Sequence, residues 1–166
     1  MLRTTADKNM GAVEKAYNDL GIVAKRPEQN VFNVVVKGVD GSPDIIQVTI
    51  IDKDFIIYES AIEYRPVNVK VEEIISSLIK VNESVSIGYF SYNSKGYLKF
   101  RTSCLAFGDA MTAEECILYI KLCIQSIKQI QEELANRIGP SIGEKGMVNE
   151  SQSYVPKRDY VDNMIG

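Results

Sequence analysis

The sequence predicts an α+β domain built on an antiparallel sheet, with elements in the order α-β-β-β-α-β-β-α and a long C-terminal helix. Three observations lead there. Period-two apolar runs fill residues 31–64, joined by links too short for a parallel crossover. A stripe of helical period interrupts the strands once, at residues 71–79. A second and longer stripe spans residues 112–138, opened by a capping box and closed by Gly139-Pro140.

Met10, Val13, Tyr17 and Leu20 form the stripe of the first helix, which Ala6 extends upstream. Thr4 or Thr5 is its expected N-cap and Gly21 its left-handed C-cap. The strand Val31–Lys37 carries Phe32, Val34 and Val36 on one face, and Ile45–Ile51 carries Ile46, Val48 and Ile50. Phe55–Tyr64 is the third strand, ended by Pro66. "GVDGSPD" and "DKD" supply the turns between them. On these strands Val35, Ile45, Ile51, Phe55 and Ile57 fall on the outward side, so both faces of the sheet are partly apolar. Val71, Ile74, Ile75, Leu78 and Ile79 make one face of the middle helix.

A hairpin follows, with arms Val85–Tyr92 and Tyr97–Leu105 around "NSKG". Pairing Tyr92 with Tyr97 across that turn puts Phe90, Tyr92, Tyr97, Lys99 and Arg101 on one face, aromatic and basic. Ile87, Tyr89, Leu98, Phe100 and Cys104 then face the core. The aromatic and basic face suits a protein partner or, as an alternative, the stacked bases and phosphates of a single-stranded nucleic acid. Lys95-Gly96-Tyr97 opens like the RNA-reading strand of an RNA recognition motif. The match stops after three residues, because the fifth position is Lys99 and the element order differs.

In the last helix Thr112 and Glu115 form the capping box. Cys116, Ile120, Cys123, Ile127, Ile130 and Leu134 step along one seam. Such a helix is about 40 Å long at 1.5 Å per residue, whereas a seven-residue strand covers about 23 Å. The second half, with Ile127, Ile130 and Leu134, is therefore expected to overhang the sheet and to need the first helix or a second subunit against it. Residues 1–139 read as one domain. Residues 140–166, polar and turn-rich, read as a flexible or docking tail.

The composition narrows the chemistry. There is no histidine, which removes the commonest general base and zinc ligand. Three cysteines without a C-x-x-C pair point to a reduced cytoplasmic setting and to small core residues, not to a metal site. A net charge of −3 offers no overall attraction to phosphate. The N-terminus lacks a signal-peptide core, and no run approaches the roughly 20 apolar residues of a membrane helix. No cofactor is expected, and an enzyme would have to work with a carboxylate or lysine centre.

The stretch "IISSLIKVNESVSIGYFSYNSKGYLKFRT" leading into "MTAEECILYIKLCIQSIKQI" places a helix ending at Val81-Asn82 before a hairpin. A Thr-x-Glu-Glu start then opens the final helix. This order, from Val31 to Ile138, resembles the YbjN family and, more broadly, the type III secretion chaperone-like fold. The resemblance implies a small, often dimeric α+β domain that binds other proteins and has no catalytic centre. The secretion chaperones it resembles hold an extended segment of a client protein.

Overall fold

The computed structural model describes residues 4–22, 24–37, 43–52, 54–106 and 109–139. The turn expected at residues 38–42 and the tail at 140–166 lie outside them. Helix α1 (Thr5–Asp19) starts at Thr4, whose hydroxyl caps the Asp7 amide while the Asp7 carboxylate answers the Thr4 amide. Just past its end Gly21 has φ +71°, the left-handed turn foreseen for it.

Four strands follow where three are predicted. The additional strand, β1 (Lys25–Glu28), pairs with β2 (Val31–Lys37) through Lys25 opposite Asn33 and Glu28 opposite Val31. Four residues containing a proline carry no alternation to detect. Lys25 and Pro27, which has no N–H to offer a neighbour, suit a sheet edge, and β1 ends the described sheet. Arg26 lies over the Phe32 ring, 5.0 Å from its centre, and holds this strand to its neighbour.

Next come β3 (Pro43–Asp52), β4 (Phe55–Glu63), α2 (Val71–Asn82), β5 (Tyr89–Tyr92), β6 (Tyr97–Leu105) and α3 (Ala113–Arg137). All strand pairs are antiparallel, and the sheet order is β1-β2-β3-β4-β6-β5. Helices α1 and α3 cover one face of the sheet, whereas α2 packs beside the edge strand β5.

The core lies between the sheet and the two covering helices. Phe32, Ile46, Val48, Ile56, Tyr58, Ile62, Leu98 and Phe100 meet Val13, Ala16 and Tyr17 of α1 and the whole α3 seam. Ile127, Ile130 and Leu134 are at most 1% exposed within the single chain. Of the two partners expected for them, α1 is the one that packs on α3. Strand β4 has nine residues and runs on into Tyr64, whose hydroxyl donates to the Gly139 carbonyl at 2.7 Å. The sheet therefore reaches the far end of the helix, and the predicted overhang is corrected. These three residues present no surface to a second protein.

Polar groups tie the layers at chosen points. Ser60 donates to the Cys123 carbonyl (2.9 Å), and the buried Asn9 accepts from the Met111 amide (2.8 Å). The Tyr58 and Tyr119 rings stack at 4.9 Å between β4 and α3. Cys116 and Cys123 lie in the core, and the Cys104 sulfur is 3.1 Å from that of Met111. Burial, with Cys116 and Glu115 nearby, pushes the Cys104 thiol up to about 11; burial and then Glu59 push Cys123 to about 12. Burial raises Cys116 as well.

Two outcomes follow from this packing. Leu134→Ala is expected to cost about 2–5 kcal/mol in urea unfolding and to leave the sedimentation behaviour of the folded protein unchanged. The Cys104 and Cys123 thiols ionise near pH 9.0 in the unfolded chain but only at about 11 and about 12 when folded. Their contribution to stability is thus complete below pH 9 and lost as pH rises through about 11 for Cys104 and about 12 for Cys123. Melting temperatures across that range should fall for the wild type and fall less for Cys123→Ala.

Candidate functional site

The hairpin differs from its predicted register by one residue. Asn93 Oδ1 accepts from the amides of Lys95 and Tyr97, both at 3.0 Å, and the Asn93 amide donates to the Tyr97 carbonyl. Tyr97 thus belongs to the turn's closing pair with Asn93. The next pairs are Tyr92 with Leu98, Ser91 with Lys99, Phe90 with Phe100 and Tyr89 with Arg101. A slip of one residue exchanges the two faces of a strand. Phe90 turns into the core, its ring 4.9 Å from that of Phe100, and the Tyr92 hydroxyl donates to the Tyr64 carbonyl. Tyr97, Lys99 and Arg101 stay on the outer face, now beside Tyr89, which the predicted register sends inward.

Two residues upstream fix this arrangement. Gly88 has φ +84°, and a Cβ there would meet the Arg101 carbonyl oxygen at 2.5 Å and the Phe100 ring at 2.6 Å. A residue with a side chain is excluded on both counts. Asn82, at the end of α2, accepts from the Phe90 amide (2.7 Å) and donates to the Phe90 carbonyl (2.9 Å). Its side-chain amide behaves as a one-residue strand and closes the sheet edge at that point.

Outward from β4, Glu59 takes Lys99 Nζ on one carboxylate oxygen and Arg101 Nε on the other, each at 3.0 Å. Partial burial of Arg101 opposes its charge, but Glu59 and Tyr89 outweigh it and raise the guanidinium's pKa. Beside this cluster lies a shallow groove of ≈ 560 Å³, bordered by Phe55, Ile57, Ile87, Tyr89, Arg101 and Ser103. Ile51, Ile87 and Leu105 are exposed large apolar side chains. Neither α1 nor α3 covers this side. A second exposed apolar stripe runs along α2, through Val71, Ile75 and Ile79, because only Ile74 and Leu78 of its predicted face are buried.

The sequence reading thus brings Tyr97, Lys99 and Arg101 together correctly. It does not anticipate Tyr89 and Glu59. The signal for Glu59 was an acidic residue within the apolar strand "FIIYESAIEY", available to face the cations of β6. Among the described residues no group of three His, Cys, Asp or Glu is arranged to hold a metal ion. No described helix is long and apolar enough to cross a membrane.

The six-stranded antiparallel sheet with α1 and α3 on one face and α2 beside its edge is a fold shared with solved structures. The chain superposes on the ExsC–ExsE complex with a TM-score of 0.59, over 83% of this chain and 98% of that one, at 12% identity. For the HopA1–SchA chaperone–effector complex the TM-score is 0.57, over 80% and 99% of the chains, at 5% identity. For YbjN of E. coli it is 0.54, over 77% and 92%, at 15% identity. This is the type III secretion chaperone-like fold. At such identities the likeness is one of fold, as the element order of the sequence implied. In sequence, no family model and no curated protein matches the chain.

Proposed function

We propose that the protein is a non-catalytic, chaperone-like or regulatory binding module that holds another protein at the groove on the outer face of its sheet, acting as a cytoplasmic homodimer. The observation that carries this reading is the outer groove, apolar at Phe55, Ile57 and Ile87 and cationic at Arg101, on the sheet face opposite α1 and α3. Two of the solved structures with this fold are complexes with a protein partner, which supports it. The α2 stripe of Val71, Ile75 and Ile79 supports the dimer, since a contiguous apolar row on a helix is stabilised by a matching surface. Residues 140–166 are proposed as a flexible or docking tail to a single domain at 1–139.

The nucleic-acid reading has less support. Glu59 offsets one of the two cations, and Phe90 is not on the face to stack a base. A carboxylate or lysine active centre has less still, because Glu59 and Lys99 are engaged with each other.

Co-purification of the full chain from its native host tests the main reading. A stoichiometric protein partner is expected with wild type and is expected to be lost with Ile57→Asp, provided circular dichroism shows the variant folded. Recovery of no partner, or equal recovery by the variant, overturns it. Sedimentation tests the dimer: Ile75→Asp should convert a dimer to a monomer. A wild-type monomer at the highest workable concentration rules the dimer out.

A further inference from the structure

The inference drawn here rests on the protein-binding reading and gives the chemistry of the bound segment. Phe90 gives both backbone groups to Asn82, so Tyr89 and Ser91 turn theirs toward Arg101 and Lys99 of β6. Alternation along β6 then points the N–H and C=O of Ser103 and Leu105 to the same side. The chain leaves that side at Gly88, and no described strand pairs with β6 beyond Arg101. On its other side β6 stays paired with β4 as far as Leu105 opposite Phe55. Half of β6 is therefore a sheet edge, with the groove lying against it.

The groove is also asymmetric in charge. Its lining contains one charged residue, Arg101, and no carboxylate. Glu59 occupies Arg101 Nε and is shared with Lys99, so the three groups sum to one positive charge. The remaining guanidinium N–H groups suit a carboxylate. The Arg101 side chain is 43% exposed, open enough to be reached.

We infer that the edge at Ser103–Leu105 receives an extended segment of another protein as an added strand in line with β5. Its residue opposite Ser103 is Asp or Glu, paired with Arg101, and its residue opposite Leu105 is apolar. Partners across a ladder share a face, and the diagonal neighbour lies about 7–8 Å away, within reach of an arginine. The recognised pattern is an acidic residue two positions from an apolar one, in extended conformation.

The test uses the full chain and an array of blocked octapeptides with Val or Ile at alternate positions. One outward position is varied through all twenty residues. Asp and Glu should be retained about tenfold or more over Asn, Gln and Lys, the effect of one charge-assisted hydrogen bond. Arg101→Gln should flatten that preference, and Arg101→Glu, where folded, should turn it toward Lys. Binding of the acidic peptide should slow amide exchange at Ser103 and Leu105. Ser103→Pro, which removes an edge N–H but none toward β4, should abolish binding.

Absence of an acidic preference, a preference unchanged in Arg101→Gln, or protection elsewhere overturns the inference. Protection of Ser103 without peptide also overturns it. If that protection rises with protein concentration the occupant is a second copy, and if it does not, a segment of this chain. A partner that co-purifies through Ile57 while the array shows no acidic preference leaves the binding module standing and removes only this inference.

Discussion

The grip of the Asn82 side chain on the backbone of Phe90 is the constraint on which the binding half of the molecule depends. Two hydrogen bonds, at 2.7 and 2.9 Å, join the last residue of α2 to the edge strand. They fix which residues of β5 face β6, and so place Phe90 inside and Tyr89 outside. They also tether α2 beside the sheet and not over it, which leaves Val71, Ile75 and Ile79 in solvent. Gly88 completes the constraint by letting the chain cross close over Phe100 and Arg101, and there β5 ends. The position of the groove, the half-open edge of β6 and the orientation of Tyr89 are all consequences of this corner.

How legible the molecule was in its sequence depended on whether each feature is set locally. Helix α3 was clear because Thr112 and Glu115 cap each other within one turn and its seam repeats over six residues. Strands β3 and β4 were clear because Ile46, Val48, Ile50, Ile56 and Tyr58 alternate onto the face that α1 and α3 cover. Strand β1 was not, because Lys25–Glu28 is a strand only by virtue of pairing with β2. The hairpin register was hidden for a related reason. Counting residues in "NSKG" suggests a four-residue turn, but the Asn93 side chain recruits Tyr97 into it, and one residue is enough to exchange the faces.

The candidate site shows the same division. Lys99 and Arg101 were visible as cations on a strand, and the structure keeps them together. Glu59 belongs to a different strand, and its place between them follows from the β4–β6 register, with Glu59 opposite Arg101. The length argument for α3 failed because it compared the helix with a seven-residue strand. The strand beneath it has nine residues and continues into Tyr64.

The hydrogen bond from the Met111 amide to Asn9 joins two residues 102 positions apart in the chain. Helix α1 is made well before α3, yet the surface that buries Val13, Ala16 and Tyr17 includes α3. During synthesis at about 5–20 residues per second, α1 therefore waits on the order of 5–20 s for its cover. Its low apolar content, a stripe of few residues on an otherwise charged helix, suits an element that spends that interval in water. Closure of the core is correspondingly a late step, dominated by contacts distant in sequence, and such contacts slow folding.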